Sequence, residues 1–312
     1  MILPNFLIIG AAKAGTTALH TYLQQHPQIY LTPDKETNFF AFEGIDINFQ
    51  GIGDEALKEF SITDLAIYQQ QFSEVTKESA IGEACPLYLY HSEAAKKIYH
   101  YIPNCRLIII LRNPIDRAYA NYLHLIRDGR ELLQNFDQAL AAEQQRIDNN
   151  WEWFWHYTQV GYYSKQIQRY YDLFARNQIA IYLYEDLVKS PMNLLQNIFR
   201  FLEVDDNLIP DLSLRPNKSG MPKNKLLHHL LMKPNPIKTI LKPLFPSSLR
   251  QKIQHRNLAK PQMSSMIKQK LTQLFREDIL ACQDLIQRDL SSWIEEATHE
   301  TAEISAKKHH ES

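Results

Sequence analysis

Residues 6–19 read Phe-Leu-Ile-Ile-Gly-Ala-Ala-Lys-Ala-Gly-Thr-Thr-Ala-Leu, and this order constrains everything that follows it. Phe6 to Ile9 is an apolar run of strand length. Gly10 to Gly15 is a turn of small residues. From Thr16 to Gln25 the apolar residues Ala18, Leu19, Tyr22 and Leu23 share one helical face. A strand, a tight glycine turn and a helix aim several backbone N–H groups and a helix N-terminus at one point. Such a point binds phosphate or sulfate.

The spacing bears on which anion. Gly10 and Gly15 are separated as in the nucleoside-triphosphate loop GxxxxGK[ST]. Here Thr16 and Thr17 follow Gly15, and the lysine sits inside the loop, at Lys13. A lysine there places its ammonium beside the 5′ end of a nucleotide. That suits a cofactor with one 5′-phosphate and a group leaving from it, without a metal. The structural alternative is a plain glycine turn in an α/β protein.

Further motifs extend the pattern. Lys-x-Gly-Thr-Thr after a first strand resembles the 5′-phosphosulfate loop of sulfotransferases that use 3′-phosphoadenosine 5′-phosphosulfate (PAPS). Asp34-Lys-Glu-Thr-Asn-Phe-Phe40 resembles the acidic motif of the carbohydrate, heparan-sulfate-like branch. Leu111-Arg-Asn-Pro-Ile-Asp-Arg-Ala-Tyr-Ala-Asn-Tyr122 resembles the 3′-phosphate motif. Gly161-Tyr-Tyr163, Tyr184-Glu-Asp-Leu187, Asn217-Lys-Ser-Gly220 and Asp289-Leu-Ser-Ser-Trp293 continue the resemblance through nearly the whole chain.

The resemblance implies a PAPS-dependent sulfotransferase whose product is 3′-phosphoadenosine 5′-phosphate, with no metal. Lys13 would follow the bridging oxygen as charge builds on it. Ala14, Gly15, Thr16, Thr17 and Ala18 would form the phosphosulfate cradle. Arg112 would clamp the 3′-phosphate, with an ion pair to Asp116 as its structural alternative. Where the family has a serine eight residues on, this chain has Ala120, so the clamp loses one hydrogen bond or passes it to Asn121. Tyr163 falls on the adenine-side motif. Lys218, Ser219, Gly220 and Lys223 correspond to a loop that closes over the nucleotide.

Two residues compete as the acceptor's base. Glu36 matches the acidic base of the carbohydrate branch, and burial among Phe39 and Phe40 would raise its pKa. Its alternative is a loop carboxylate paired with Lys35. His91 lies near the spacing of the small-molecule branch's histidine; otherwise it or Ser92 caps a helix. Ala84 stands where some heparan-type members carry a lysine.

Bulk properties agree with one α/β domain. A hydrophobic share of 45% supplies a core. Leu107 to Leu111 is apolar without interruption, as in a central parallel strand. Helical patterns at 65–72, 92–101, 115–127, 136–147, 164–174, 191–202 and 263–293 alternate with strand patterns. The expected fold is a central parallel sheet flanked by helices, as one sulfotransferase domain over 1–296, with a polar, disordered tail at 297–312. The tryptophans of Trp151-Glu-Trp-Phe-Trp155 are either core or a platform for an acceptor ring.

Charge is unevenly spread. The chain has 34 basic and 35 acidic residues, and 212–276 holds 14 of the basic and none of the acidic ones. The remainder has 20 basic against 35 acidic, or −15. Such asymmetry points to an anionic partner: the nucleotide, a carbohydrate, glycolipid or small-molecule acceptor, or an anionic membrane meeting 223–270. Nucleic acid is not expected. Cys85, Cys105 and Cys282 have no metal-like spacing and read as core thiols. Met1-Ile-Leu-Pro shows no basic leader, and no run approaches a membrane span. A cytoplasmic protein, with peripheral membrane contact as an option, is the expectation.

Overall fold

The structure is a computed structural model that describes residues 2–214, 221–222, 258–259 and 261–295. Lys218, Ser219, Gly220 and Lys223, the proposed 297–312 tail and residues 223–257 and 260 of the basic 223–270 stretch lie outside the described residues.

Strand β1 (Phe6–Gly10) leads into helix α1 (Thr16–Leu23) and strand β2 (Ile29–Leu31). A one-turn helix α2 (Phe39–Phe42), α3 (Glu55–Phe60) and α4 (Leu65–Gln70) precede β3 (Ala80–Ala84). Then come α5 (Leu87–Tyr90), α6 (Ala94–Tyr101), β4 (Arg106–Leu111) and α7 (Pro114–Arg127). Helices α8 (Phe136–Ala141), α9 (Glu143–Asp148) and α10 (Tyr163–Tyr171) carry the chain to β5 (Ile179–Leu183). It continues through α11 (Tyr184–Lys189) and α12 (Pro191–Leu202) to α13 (Ser265–Ile286).

The five strands lie in the order β2-β3-β1-β4-β5, and every pairing is parallel. Phe6 is opposite Gly82 on one side and Arg106 on the other. Phe6 to Ile9 and Leu107 to Leu111 are wholly buried, as strands covered on both faces must be. Because all strands run the same way, the loops after β1, β2, β3, β4 and β5 open on one edge. Open α/β sheets place ligands in the crevice at that edge.

Two expectations change. The helix expected over 136–147 is two, interrupted at Ala142. The interruption turns Glu143 inward, where it accepts the N–H of Thr158 at 2.9 Å and of Gln159 at 3.0 Å. Neither His91 nor Ser92 caps α6. Its N-cap is Glu93, without a side-chain cap bond. His91 instead ends the one-turn α5, donating its N–H to the Leu87 carbonyl at 2.9 Å.

The turn after β1 is held tightly. Ala11 N–H donates to the Ile110 carbonyl at 2.7 Å, tying the turn to β4. Gly15 is the N-cap of α1 at φ 100°, a region that L side chains rarely adopt. A Cβ there would lie 2.8 Å from Leu187 Cδ2 and 3.3 Å from the Tyr184 ring. Gly15→Ala is therefore expected to cost ~1–3 kcal/mol of stability. Thermal unfolding checks it; an unchanged Tm would mean the turn relaxes freely.

Candidate active site

Three backbone features shape the turn between β1 and α1. Lys13 stands at φ 67° and Gly15 at φ 100°, both left-handed. The first N–H groups of α1, from Gly15 through Thr16, Thr17 and Ala18, have no earlier carbonyl within the helix to bond. Ala14 N–H instead closes the turn onto the Ala11 carbonyl at 3.2 Å. No acidic side chain sits in the first turn of α1 to compete for an anion. An anionic group fits this end of the helix on charge and on donors.

Arg112 stands next to it, one residue beyond β4. Its Nη1 donates to the Lys13 carbonyl at 3.0 Å, and its guanidinium lies over the Tyr184 ring, 4.8 Å from the centroid. The Tyr163 hydroxyl donates to the Arg112 carbonyl at 2.9 Å. Arg112 Nε is buried with no hydrogen-bond partner, so a donor remains for an anion. Among the described residues Arg112 makes no ion pair with Asp116. Ala120 is buried on α7 and offers no hydroxyl. Asn121, the other candidate, donates its Nδ2 to the Phe154 carbonyl at 2.5 Å.

The loop after β2 brings acid to the same place. Lys35 Nζ donates to Thr17 Oγ1 at 3.1 Å and pairs with Glu36 Oε1. Glu36 N–H donates to the Ala84 carbonyl at 3.0 Å, at the end of β3. Burial pushes the Lys13 ammonium down to about 8; Arg127 and Arg112 lower it further, while Asp128 and Glu36 oppose them. Lys13, Glu36, Arg112, Arg127 and Asp128 thus share one electrostatic neighbourhood.

The pairing of Glu36 with Lys35 is present, but the expected apolar wall is not. Phe39 and Phe40 are wholly buried against Tyr68, whose ring centroid lies 4.2 Å from Phe39 and 5.3 Å from Phe40. The carboxylate held at those rings is Glu83, which accepts the Tyr68 hydroxyl at 2.7 Å and which burial pushes above the usual carboxylate range. Glu36 keeps 29% of its side chain exposed.

His91 occupies a different pocket. Its ring meets Phe42 edge-on at 5.6 Å. Burial and then Lys97 lower its pKa, with smaller effects from Glu93 and Arg169. None of these charges is among those acting on Lys13.

The last turn of α7 adds groups that no sequence motif marked. Arg127 Nη2 donates to His124 Nδ1 at 2.7 Å, since a guanidinium only donates. The proton of the neutral imidazole is therefore on Nε2, which faces Asp128 Oδ2 at 3.4 Å. Burial, with Lys13 and Arg127 adding to it, pushes His124 down to about 3. A neutral imidazole with its lone pair engaged by Arg127 is poorly placed to take a proton. The signal was present in the spacing His124-x-x-Arg127-Asp128 at a helix end, but nothing local linked that end to Lys13.

The tryptophan segment resolves mostly as core. Trp153, Trp155 and Tyr157 are buried, and Trp155 Nε1 donates to buried Asp54 at 2.8 Å. Arg130 pairs with Asp54 and Glu152, and Arg146 pairs with Glu131 at 2.6 Å beneath the same rings. Trp151 and Phe154 are only partly buried; the Phe154 ring lies 5.5 Å from His124 and 4.1 Å from Trp153.

Lys13 in the free protein is expected to titrate near 8. Its midpoint should fall further in Asp128→Asn, because the Asp128 carboxylate raises it. NMR of labelled lysine side chains measures this. A midpoint at the ordinary 10.5 would contradict the buried setting of the ammonium.

Comparison with known proteins agrees with this geometry. The profile described as Sulfotransferase family matches residues 4–207. The solved structure of a sulfotransferase from Alicyclobacillus acidocaldarius superposes with a TM-score of 0.75 at 34% identity, covering 94% of this chain and 99% of that one. Bifunctional heparan sulfate N-deacetylase/N-sulfotransferase 4 of Mus musculus is 28% identical over 204 residues, which are 65% of this chain and 22% of the relative. Carbohydrate sulfotransferase 15 of Homo sapiens is 26% identical over 253 residues, 65% of this chain and 44% of the relative. The chain thus spans less than half the length of these two relatives. The profile match runs through all five strands of the parallel sheet and the turns after β1 and β4, and the chain belongs to the sulfotransferase family.

Proposed function

We propose that the protein transfers the sulfuryl group of PAPS to a hydroxyl or amine of a carbohydrate or glycolipid, with Glu36 as base. The observation that carries this reading is the convergence of Lys13 and Glu36 at the N-terminus of α1, with Lys35 bridging Glu36 to Thr17. The donor set fits a phosphosulfate: free helix N–H groups, two threonine hydroxyls and an ammonium. Arg112, with its unpartnered Nε, fits the 3′-phosphate. PAPS supplies an activated sulfuryl group whose leaving oxygen is a phosphate oxygen.

The residues divide the work. Thr16, Thr17 and the helix end bind the phosphosulfate. Lys13 donates to the bridging oxygen as the old S–O bond breaks and negative charge moves onto that oxygen. Glu36 Oε accepts the acceptor's proton as the new S–O or S–N bond forms. Lys35 keeps the carboxylate turned toward the sulfate side and offers a second positive charge to the transferring group. Arg112 holds the Lys13 carbonyl, so the residue that reads the 3′-phosphate also sets the catalytic lysine's backbone. A phosphoryl-transfer reading is disfavoured, because no lysine follows Gly15 to reach terminal phosphates.

The acceptor class rests on the names of the relatives given above, which are heparan sulfate and carbohydrate sulfotransferases, and on the resemblance of Asp34–Phe40 to the acidic motif of the carbohydrate branch. Phe154, beside His124, is the surface on which a sugar ring would lie.

One kinetic series tests the reading. At saturating PAPS, Lys13→Ala and Glu36→Gln should each lower kcat by roughly 10²–10³, with the fold retained by circular dichroism. His91→Ala should cost far less. The reverse ranking of Glu36 and His91 would move the base to His91 and the acceptor toward a small phenol, alcohol or lipid.

A further inference from the structure

Glu83 is a wholly buried carboxylate on β3, and among the described residues no cation pairs with it. Three hydroxyls hold it instead. Thr37 Oγ1 donates to its Oε1 at 2.5 Å, Tyr68 OH to Oε2 at 2.7 Å, and Tyr88 OH to the two oxygens at 3.0 and 3.1 Å. A buried carboxyl held by three hydroxyls is costly to strip of them piecemeal, because each lost partner leaves a buried oxygen less satisfied.

Thr37 is the link to the reaction. It lies between Glu36 at φ 64° and Asn38 at φ 59°, two non-glycine residues in left-handed backbone. Such an arc holds its shape only where its surroundings force it. Contacts reach it from the end of β3, from residues 61–62, from Tyr88 on α5 and from the N–H groups of α2. Glu36 N–H donates to the Ala84 carbonyl at 3.0 Å, and Cys85 Sγ donates to Asn38 Oδ1 at 3.1 Å. Asn38 Nδ2 donates to Ser61 Oγ at 3.0 Å, and Ile62 N–H donates to the Thr37 carbonyl at 2.8 Å. The Thr37 hydroxyl on Glu83 is the only one of these bonds that ties the arc's centre to a side chain of the sheet. Phe39 and Phe40, which follow, pack on the same Tyr68 and Tyr88 rings that hold Glu83.

We propose that Glu83 is a positioning residue for sulfuryl transfer: through the Thr37 hydroxyl it fixes the 36–38 arc so that the Glu36 carboxylate stands opposite Lys13. This rests on the assignment of Glu36 as base. The role is geometric, so it belongs to kcat and not to nucleotide affinity. A base displaced by a fraction of an ångström to an ångström loses much of its rate.

The experiment uses the full chain and substitutions that keep the core filled. Thr37→Val removes only the hydroxyl and should lower kcat roughly 10–100-fold with the KM for PAPS unchanged. Thr37→Ser restores the donor and should return kcat to near the unsubstituted value. Tyr68→Phe removes a donor on the far oxygen and should lower Tm with little change in kcat. In a Glu36→Gln background, Thr37→Val should add no further loss, because the arc then presents no base. Inactive Glu36→Gln with fully active Thr37→Val would overturn this inference alone. A full additional loss from Thr37→Val in the Glu36→Gln background would overturn it too, by showing that Thr37 acts on something else. Glu36→Gln with unchanged kcat would overturn the base assignment and this inference with it.

Discussion

The hydrogen bond from Arg112 Nη1 to the Lys13 carbonyl is the contact on which the site depends. It joins the turn after β1 to the residue after β4, the two adjacent central strands. Lys13 is not glycine, yet it stands in left-handed backbone. A carbonyl gripped by a guanidinium, itself seated on the Tyr184 ring, is what keeps it there. With Lys13 so turned, its side chain enters a half-buried space that already contains Arg112 and Arg127, and its ammonium loses affinity for its proton. The loop thereby presents a cation that gains most when negative charge appears beside it.

The other side of the site depends on a second constraint, the attachment of the 36–38 arc to β3. The parallel sheet makes this possible. The β3 end lies between β1 and β2, so a loop leaving β2 passes directly over it. Two loops, from β1 and β2, thus meet over the ends of three neighbouring strands. The aromatic segment at 151–157 approaches α7, where the Phe154 ring lies 5.5 Å from His124. In its buried ion pairs, Arg130 with Asp54 and Glu152 and Arg146 with Glu131, Asp54 also accepts the Glu152 N–H and Glu131 the Tyr157 hydroxyl. Breaking one partner of such a set costs far more than the set contributes over an apolar equivalent. They specify where Phe154 stands, and Phe154 faces His124.

Much of this was legible in the sequence, for reasons of locality. Gly10 to Thr17 and Leu111 to Pro114 write their geometry in consecutive residues, so the loop, the central parallel strand and the place of Arg112 at its end could be read directly. The Lys35–Glu36 pair was also local. What escaped were contacts between segments distant in the chain. Phe39 and Phe40 read as a wall for Glu36, but the two side chains directly after the left-handed arc turn inward and pack on the Tyr68 and Tyr88 rings, whose hydroxyls hold Glu83 instead. His124, Arg127 and Asp128 meet Lys13 more than 110 positions away in sequence, and no periodicity encodes that meeting. The helix over 136–147 read as continuous because its break serves a carboxylate, Glu143, whose partners lie at 158 and 159.

The central claim is that the Lys13 turn and Arg112 together read a nucleotide bearing both a 5′-linked anion and a 3′-phosphate. Calorimetric titration in metal-free buffer tests it most directly. The account predicts that 3′-phosphoadenosine 5′-phosphate binds without Mg²⁺, and that adenosine 5′-phosphate, lacking only the 3′-phosphate, binds about tenfold more weakly or worse, the effect of losing one charge-assisted contact. Equal affinities for the two nucleotides, or binding that requires Mg²⁺, would contradict it.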